Sequence, residues 1–213
     1  KPLFLSVLTI RKEVIGEKNR DYLATLNKLA SLYQFEGNYS EAEILYLNSV
    51  EISKEYFGEN SIEYAISIGN LGSLYNLQFK YNESETLLLK ALQLEKNSIG
   101  KTHPYYGTSL SNLALLYQNQ SKFSLAEPLL KESVEINKNS FGENNSKYAV
   151  SINCLALLYF LEGNYLKAEP LFLKALEIRK NILGVTHPDY ALSLDGLAKL
   201  YEVQGNYTKA ESH

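Results

Sequence analysis

The sequence predicts an all-α fold, an α-solenoid of stacked antiparallel helix pairs, and two observations lead to that prediction. A glycine recurs with a constant spacing of 42 residues, and each interval repeats one helical pattern of apolar residues. Units of this size bury their apolar faces only by stacking on their neighbours. The recurring residues are Gly16, Gly58, Gly100, Gly142 and Gly184.

The glycines divide the chain into four full repeats and two partial ones. We predict a single solenoid domain over residues 1–213, and we expect the remainder of a longer parent chain because both partial repeats break off inside the pattern. The predicted units are the partial repeat 1–16, the repeats 17–58, 59–100, 101–142 and 143–184, and the partial repeat 185–213.

Composition favours a protein that interacts with other proteins rather than with nucleic acid or membrane. The net charge is −3, so no basic surface is expected for nucleic acid. No apolar run approaches the roughly 18 residues that a membrane span needs. The single cysteine, Cys154, excludes an internal disulfide framework, and we predict a cytoplasmic location.

The first segment of each repeat, helix A, carries an apolar stripe at helical spacing. In the first full repeat the stripe is Leu26, Leu29, Ala30 and Tyr33, with spacings of three, one and three residues. N-cap residues are predicted at the equivalent positions Asn19, Ser61, His103, Asn145 and His187. The predicted C-terminal residues are Gly37, Gly163 and Gly205, with Phe79 and Ser121 in that place in the second and third repeats.

The second segment, helix B, is predicted to begin with a capping box of the form S/T-x-x-E. It is expected to end at the repeat glycine, in a left-handed conformation. The predicted boxes are Ser40 with Glu43, Ser124 with Glu127 and Thr208 with Glu211; Asn82 with Glu85 is close to this pattern, and Leu166 departs from it.

The repeat resembles the tetratricopeptide repeat, with leucine in place of the usual tryptophan. The longer unit, with its phrases HPDYALSLDGLA and EPLFLKALEIRKNILG, resembles the kinesin light chain class of this family along the whole chain. The resemblance implies a right-handed superhelix with helices A on the inner wall and helices B outside. The residues that match the tetratricopeptide repeat pattern are Leu194, Leu197, Ala198, Tyr201, Gly205, Tyr207 and Ala210.

If helices A line the inner wall, four asparagines face a groove. Asn27, Asn70, Asn112 and Asn153 are predicted to bind the backbone of an extended peptide, because an amide both donates and accepts hydrogen bonds. The alternative is that these asparagines bond water or neighbouring repeats. The lysine, asparagine and arginine clamp that some family members use for a C-terminal carboxylate is not reproduced here.

The third and fourth repeats replace polar groove residues with apolar ones. An apolar patch that holds a hydrophobic anchor of the peptide is predicted at Leu115, Val150, Leu157, Phe160 and Leu161. The alternative is that an adjacent helix, a loop or a second copy covers the patch.

Two charged residues complete the predicted groove. Asp195 and Lys199 follow the apolar patch in sequence and are expected to set a charge preference at one end of the peptide.

No motif for catalysis, metal binding or cofactor binding stands out. His103 and His187 occupy cap positions, and Cys154 has no paired histidine in its repeat, so neither a metal site nor a nucleophile is predicted. We predict no cofactor and no enzyme activity, and interpret the chain as a non-catalytic module or scaffold that binds a peptide or protein segment. The alternative is a regulatory or sensor domain of a larger multidomain enzyme or signalling protein.

Overall fold

The computed structural model describes residues 2–206, and over that range the chain forms ten α-helices and no β-strand. The helices are α1 (Pro2–Ile15), α2 (Arg20–Phe35), α3 (Tyr39–Phe57), α4 (Ile62–Leu77), α5 (Tyr81–Ser98), α6 (Pro104–Asn119), α7 (Phe123–Phe141), α8 (Ser146–Leu161), α9 (Tyr165–Leu183) and α10 (Pro188–Val203). Even-numbered helices are helices A and odd-numbered ones helices B. The predicted all-α class of paired helices is confirmed.

The chain divides into two compact units with a boundary between Lys101 and Thr102. The first unit contains α1 to α5, and each helix packs against the next along the chain. Ala30 of α2, Ala42 and Tyr46 of α3, and Leu71 and Leu74 of α4 form one of its buried clusters.

The second unit contains α6 to α10, and here too each helix packs on its successor, while α8 also contacts the helices A on either side, α6 and α10. Its core is built around Phe172 of α9, which is 1% exposed and packs with Ala156 and Leu158 of α8 and Leu197 and Leu200 of α10. Small residues at the stripe position let the paired helices approach closely. The core thus follows the stripe predicted from sequence.

The predicted N-caps of helices A are confirmed. Asn19, Ser61 and Asn145 accept a backbone N–H through side-chain oxygen, at 2.7, 3.1 and 2.8 Å. His103 Nδ1 accepts the N–H of Tyr105 at 3.2 Å, and His187 Nδ1 accepts that of Asp189 at 3.1 Å. Both histidines therefore serve as helix caps, and no cluster of metal-binding side chains is found within residues 2–206.

Helices A end in Schellman motifs, including those that lack glycine. In the third repeat Lys122 N–H donates to Tyr117 O at 2.8 Å and Ser121 N–H to Gln118 O at 2.9 Å. Ser121 consequently has φ 58°, and Phe79 has φ 62° in the equivalent turn. Two side chains thus occupy a conformation that costs about 1–2 kcal/mol outside glycine.

The predicted capping boxes of helices B are wrong. The caps are Asn38, Lys80, Lys122 and Asn164, so Ser40, Asn82 and Ser124 lie inside the first turn. The Schellman turn of the preceding helix already fixes the position of the cap residue, and helix B begins directly at the next aromatic residue. The third predicted box, Thr208 with Glu211, lies outside the described residues.

Glu43 and Glu127 of the predicted boxes, and the equivalent Glu169, instead bond to residues of the following repeat. Tyr159 Oη donates to Glu127 Oε1 at 2.7 Å, and Tyr201 Oη donates to Glu169 Oε1 at 2.9 Å. Glu43 accepts from Gln78 Nε2 at 2.8 Å, and this bond, with that from Lys80, lowers the pKa of the carboxyl group. These glutamates therefore join one repeat to the next.

Each repeat glycine has positive φ, as predicted, but three of them are not in the left-handed helical region. Gly58, Gly142 and Gly184 have φ of 90°, 78° and 80° with ψ of 158°, 171° and 168°. This combination of positive φ and extended ψ is open essentially to glycine alone. The glycine therefore ends helix B by sending the chain away in an extended direction.

Candidate functional site

A cavity of about 370 Å³ lies in the second unit, between the helices A of two successive repeats. Helix α6 forms one wall, α8 forms the other, and Leu130 and Asn137 of α7 lie beneath. The lining residues are Thr108, Ser111, Asn112, Leu115, Gln118, Leu130, Asn137, Ser146, Lys147, Val150, Ser151, Cys154, Leu157 and Asp189. The volume falls within the range of ordinary ligand sites.

The cavity is lined from the beginning of α6 and α8 to residues further along both helices, and its lining differs between these parts. Ser133 Oγ of α7 donates to Gly107 O at 2.7 Å, which places Asn137, one turn further along α7, beside the start of α6. At the other end Leu115, Leu130 and Leu157 supply an apolar wall. The cavity therefore joins a polar end, at the beginning of α6 and α8, to an apolar wall, with the amide of Gln118 about one turn beyond Leu115.

Two buried amides line the cavity without a protein partner. Asn137 is 7% exposed and Gln118 is 8% exposed, and neither side chain forms a hydrogen bond with the described part of the chain. Neither amide has an atom that is both sealed from solvent and unpartnered, so both groups open onto the cavity and are available to water or a ligand. Asn112, part-buried on the α6 wall, is likewise without a partner in residues 2–206.

The position of Asn137 carries arginine in two of the other repeats, and Ser53 and Glu95 in the remaining two. Arg179, which is equivalent to Asn137, is 4% exposed and donates from Nη1 to Asp189 O at 2.9 Å and to Ser193 Oγ at 2.6 Å. Arg11 makes the same pair of bonds, to Asp21 O and Thr25 Oγ1, in the first unit. Asparagine is too short to fill that volume.

The acceptors that those arginines use have counterparts at the polar end. Lys147 and Ser151 occupy the positions equivalent to Asp189 and Ser193, and both line the cavity. Ser151 Oγ donates to Tyr148 O at 2.9 Å, which leaves its lone pairs available to a donor in the cavity.

Comparison with known proteins identifies the repeat. The tetratricopeptide repeat family profile matches residues 21–94, 63–139 and 148–213. The chain belongs to the tetratricopeptide repeat family. No curated protein matches the sequence significantly.

Solved structures with similar folds are kinesin light chain-like tetratricopeptide repeat proteins, the class indicated by the sequence. BtubC (BKLC) of P. vanneervenii is 23% identical with a TM-score of 0.76, over 98% of this chain and 83% of that one. A kinesin light chain-like protein of Podosopora anserina with nearly identical repeats is 24% identical in two crystal structures, one of them of a single-substitution variant. Their TM-scores are 0.71 for the variant and 0.70, over 89% of this chain and 90% of each of those chains.

Of the predicted groove residues, this tetratricopeptide repeat unit brings Asn112, Leu115, Val150 and Leu157 together around the cavity. Phe160 lies outside the lining: it is half-buried against the core, and its ring lies 5.8 Å from that of Tyr165.

The other predicted residues of the unit also lie outside the lining. Leu161 is exposed at the end of α8. Asp195 and Lys199 pair with each other on α10 at 2.6 Å, with both side chains 58% exposed. The charge of this pair is therefore largely balanced within one helix.

The four predicted asparagines fall into two groups. Asn27 accepts from Ser49 Oγ at 2.7 Å, and Asn153, at the equivalent position, accepts from Ser193 Oγ at 3.4 Å. Asn70 and Asn112 occupy the next position along their helices and are without a side-chain partner in the described chain. Asn27 and Asn153 thus bond to serines of neighbouring helices, while the side chains of Asn70 and Asn112 keep all their donors and acceptors for a ligand or water.

Cys154 is part-buried in the cavity wall, and its burial raises the pKa of the thiol, so the group is held in its unreactive protonated form. None of the described helices combines the length and apolar character needed to cross a membrane.

Sequence reasoning missed Leu130 and Asn137, because both lie on a helix B that was assigned to the outer wall. The signal for Asn137 was present in the repeat alignment, where the same position carries Arg11 and Arg179.

Proposed function

We propose that the chain is a non-catalytic interaction module that holds a peptide segment of a protein partner in the cavity between α6 and α8. The observation that carries the proposal is a cavity of about 370 Å³ whose walls combine apolar side chains with unpartnered amides. Tetratricopeptide repeat proteins are generally modules for protein–protein interaction. A peptide offers both kinds of group, because each residue supplies a backbone amide and a side chain.

In this proposal Leu115, Val150 and Leu157 contact an apolar side chain of the peptide, and Asn112 bonds its backbone. Each of these three apolar residues exposes more than a third of its surface, at 42%, 45% and 37%. Exposed apolar side chains that meet in a concave wall favour the binding of an apolar group.

The outer residues have secondary roles in the proposal. Phe160, Leu161 and Asn153 support the α8 wall from outside the lining, while Asp195 and Lys199 flank it on α10. The backbone-binding role predicted for Asn27 is weakened by its bond to Ser49, and Asn70 keeps that role as a prediction for the first unit. The single free cysteine favours a reducing compartment, and the proposal places the module in the cytoplasm.

The proposal is tested by selecting binders from a random dodecapeptide display library and measuring their affinities by fluorescence anisotropy. Leu115→Ser and Leu157→Ser both introduce the residue found at the equivalent positions Ser31 and Ser73. Because two repeats already carry serine there, each variant should keep the fold. Each should weaken binding of the selected peptides by about 1–3 kcal/mol.

Leu166→Ser is the matched control. Leu166 is 88% exposed on α9, and its equivalents are Ser40 and Ser124, so the same chemical change is made away from the cavity. Selected peptides should bind this variant as tightly as the parent chain. Equal affinity for all three variants, or failure of the parent to enrich any peptide, would refute the proposal.

A further inference from the structure

The polar end of the cavity lies where an arginine side chain is found in two other repeats. In two other repeats Arg11 and Arg179 extend into this position and donate to a carbonyl oxygen and a hydroxyl of the following helix A. Here Asn137 leaves the space open and contributes an amide with no protein partner in residues 2–206. A ligand group that fills the space must donate, as the arginines do, and must also pair with Asn137.

We propose that this end of the cavity binds the neutral amide of a glutamine side chain in the peptide, an inference that rests on the proposed function. The glutamine NH₂ group would donate to Ser151 Oγ and the Lys147 carbonyl, as Arg179 donates to their equivalents. Its carbonyl oxygen would accept from Asn137 Nδ2. A primary amide can bond to all three residues with one planar group, because it both donates and accepts.

The charges around the polar end disfavour a cationic ligand group. Lys147 stands where Asp21 and Asp189 accompany the two arginines, so a ligand guanidinium would meet a cation there instead of an anion. Lys147 is exposed, with Nζ 4.7 Å from the centre of the Phe141 ring, and Asp189, 40% exposed, supplies the opposite charge. Arg179 also acts electrostatically on Asp189 and Cys154 of the lining, so the surrounding charges oppose a ligand cation. A carboxylate is disfavoured for a different reason, because it has no donor for the Lys147 carbonyl oxygen.

The apolar end fixes where the rest of the peptide lies. Along α6, Thr108 lies at the polar end, Leu115 lies in the apolar wall and Gln118 lies about one turn beyond it. The seven residues of helix from Thr108 to Leu115 correspond to about 10 Å. An extended peptide advances about 3.3 Å per residue, so three positions separate the glutamine from an apolar side chain held by Leu115 and Leu157. The inferred ligand is an uncharged segment with glutamine and leucine three positions apart.

The test uses acetylated and amidated octapeptides of alanine and serine that carry one leucine and, three positions before or after it, glutamine, glutamate, lysine or norleucine. Binding is followed by NMR through the methyl groups of Leu115, Val150 and Leu157. In one of the two orders the glutamine peptide should bind at least about tenfold more tightly than its three analogues.

Two substitutions separate this preference from general peptide binding. Asn137→Leu should remove the preference for glutamine and leave the methyl shifts in place. Asn137→Arg should fill the space as Arg179 does, and binding of the glutamine peptide should fall at least about tenfold. Circular dichroism checks that both variants keep the helical content of the parent.

The possible outcomes distinguish the two proposals. If all four peptides shift the cavity methyl groups with equal affinity, the glutamine inference is overturned and the groove remains a peptide site. If the lysine or glutamate peptide binds most tightly, the inference is overturned in favour of an ionised group. If no peptide shifts these methyl groups, both the inference and the proposed function are overturned.

Discussion

Substitution of Gly142 tests how the backbone between α7 and α8 is held. Gly142→Val should destabilise the second unit because Gly142 has φ 78° and ψ 171°, a region that side-chain-bearing residues rarely enter. A Cβ atom at this position would meet no other atom within 4 Å, so the cost comes from the backbone and not from a clash.

The expected magnitude follows from two opposing terms. Forcing a non-glycine residue into this region costs about 1–3 kcal/mol. Replacing glycine also lowers the conformational entropy of the unfolded chain, which stabilises the folded state by about 0.4–1 kcal/mol. We therefore expect a net loss of about 1–2 kcal/mol, and Gly142→Ala should lose a similar amount because the site has room for either side chain.

Urea unfolding followed by circular dichroism measures the free energy of unfolding of each variant against that of the parent chain. An unchanged free energy of unfolding in Gly142→Val would refute the conformation assigned to this glycine. A large loss for valine beside a neutral alanine would show that sterics, not backbone strain, set the requirement.

Three further predictions concern the second unit. Ser121→Gly should stabilise it by about 0.5–1 kcal/mol by relieving positive φ, as a shift in the urea midpoint shows, and a lower midpoint would contradict the assigned turn. Tyr159→Phe should lose about 1 kcal/mol with the bond to Glu127, and equal stability would mean that this bond contributes nothing. Lys138 and Lys174 lower the pKa of Glu143 to about 2, so its stabilisation is present above about pH 4.5 and lost as the pH falls towards 2. Glu143→Gln should accordingly lower Tm at about pH 7, with a difference from the parent that closes by about pH 2; a constant difference would exclude titration of Glu143 as its source.

The fold was predictable from sequence because it rests on periodicity. The stripe of Leu26, Leu29 and Ala30 is set by the helical repeat, and these side chains are at most 1% exposed. Local bonding was less predictable. Ser40 and Glu43 have the spacing of a capping box, yet a turn formed by the preceding helix places Ser40 inside α3, and Glu43 bonds to α4 instead.

The candidate site was predictable only in part. Leu115 and Leu157 were found because they interrupt a polar pattern on helix A. Phe160 fitted the same pattern, but it packs against the core beside Tyr165, since a pattern on one helix does not reveal how the following turn covers it. Asn137 is visible only by comparison with an arginine found in other repeats.

The bonds from tyrosine to glutamate bear on how such an array comes apart. Tyr159 belongs to one repeat and Glu127 to the one before it, as do Tyr201 and Glu169, so each bond is lost as soon as either of its two repeats unfolds. In a chain of nearest-neighbour interactions, stronger interfaces lengthen the stretch that unfolds in one step. Burial, followed by the bond to Glu169, raises the pKa of Tyr201 to about 12. Strongly alkaline solution should therefore weaken the contacts between repeats at a lower pH than it unfolds the helices. Partly unfolded forms should then accumulate, one repeat after another.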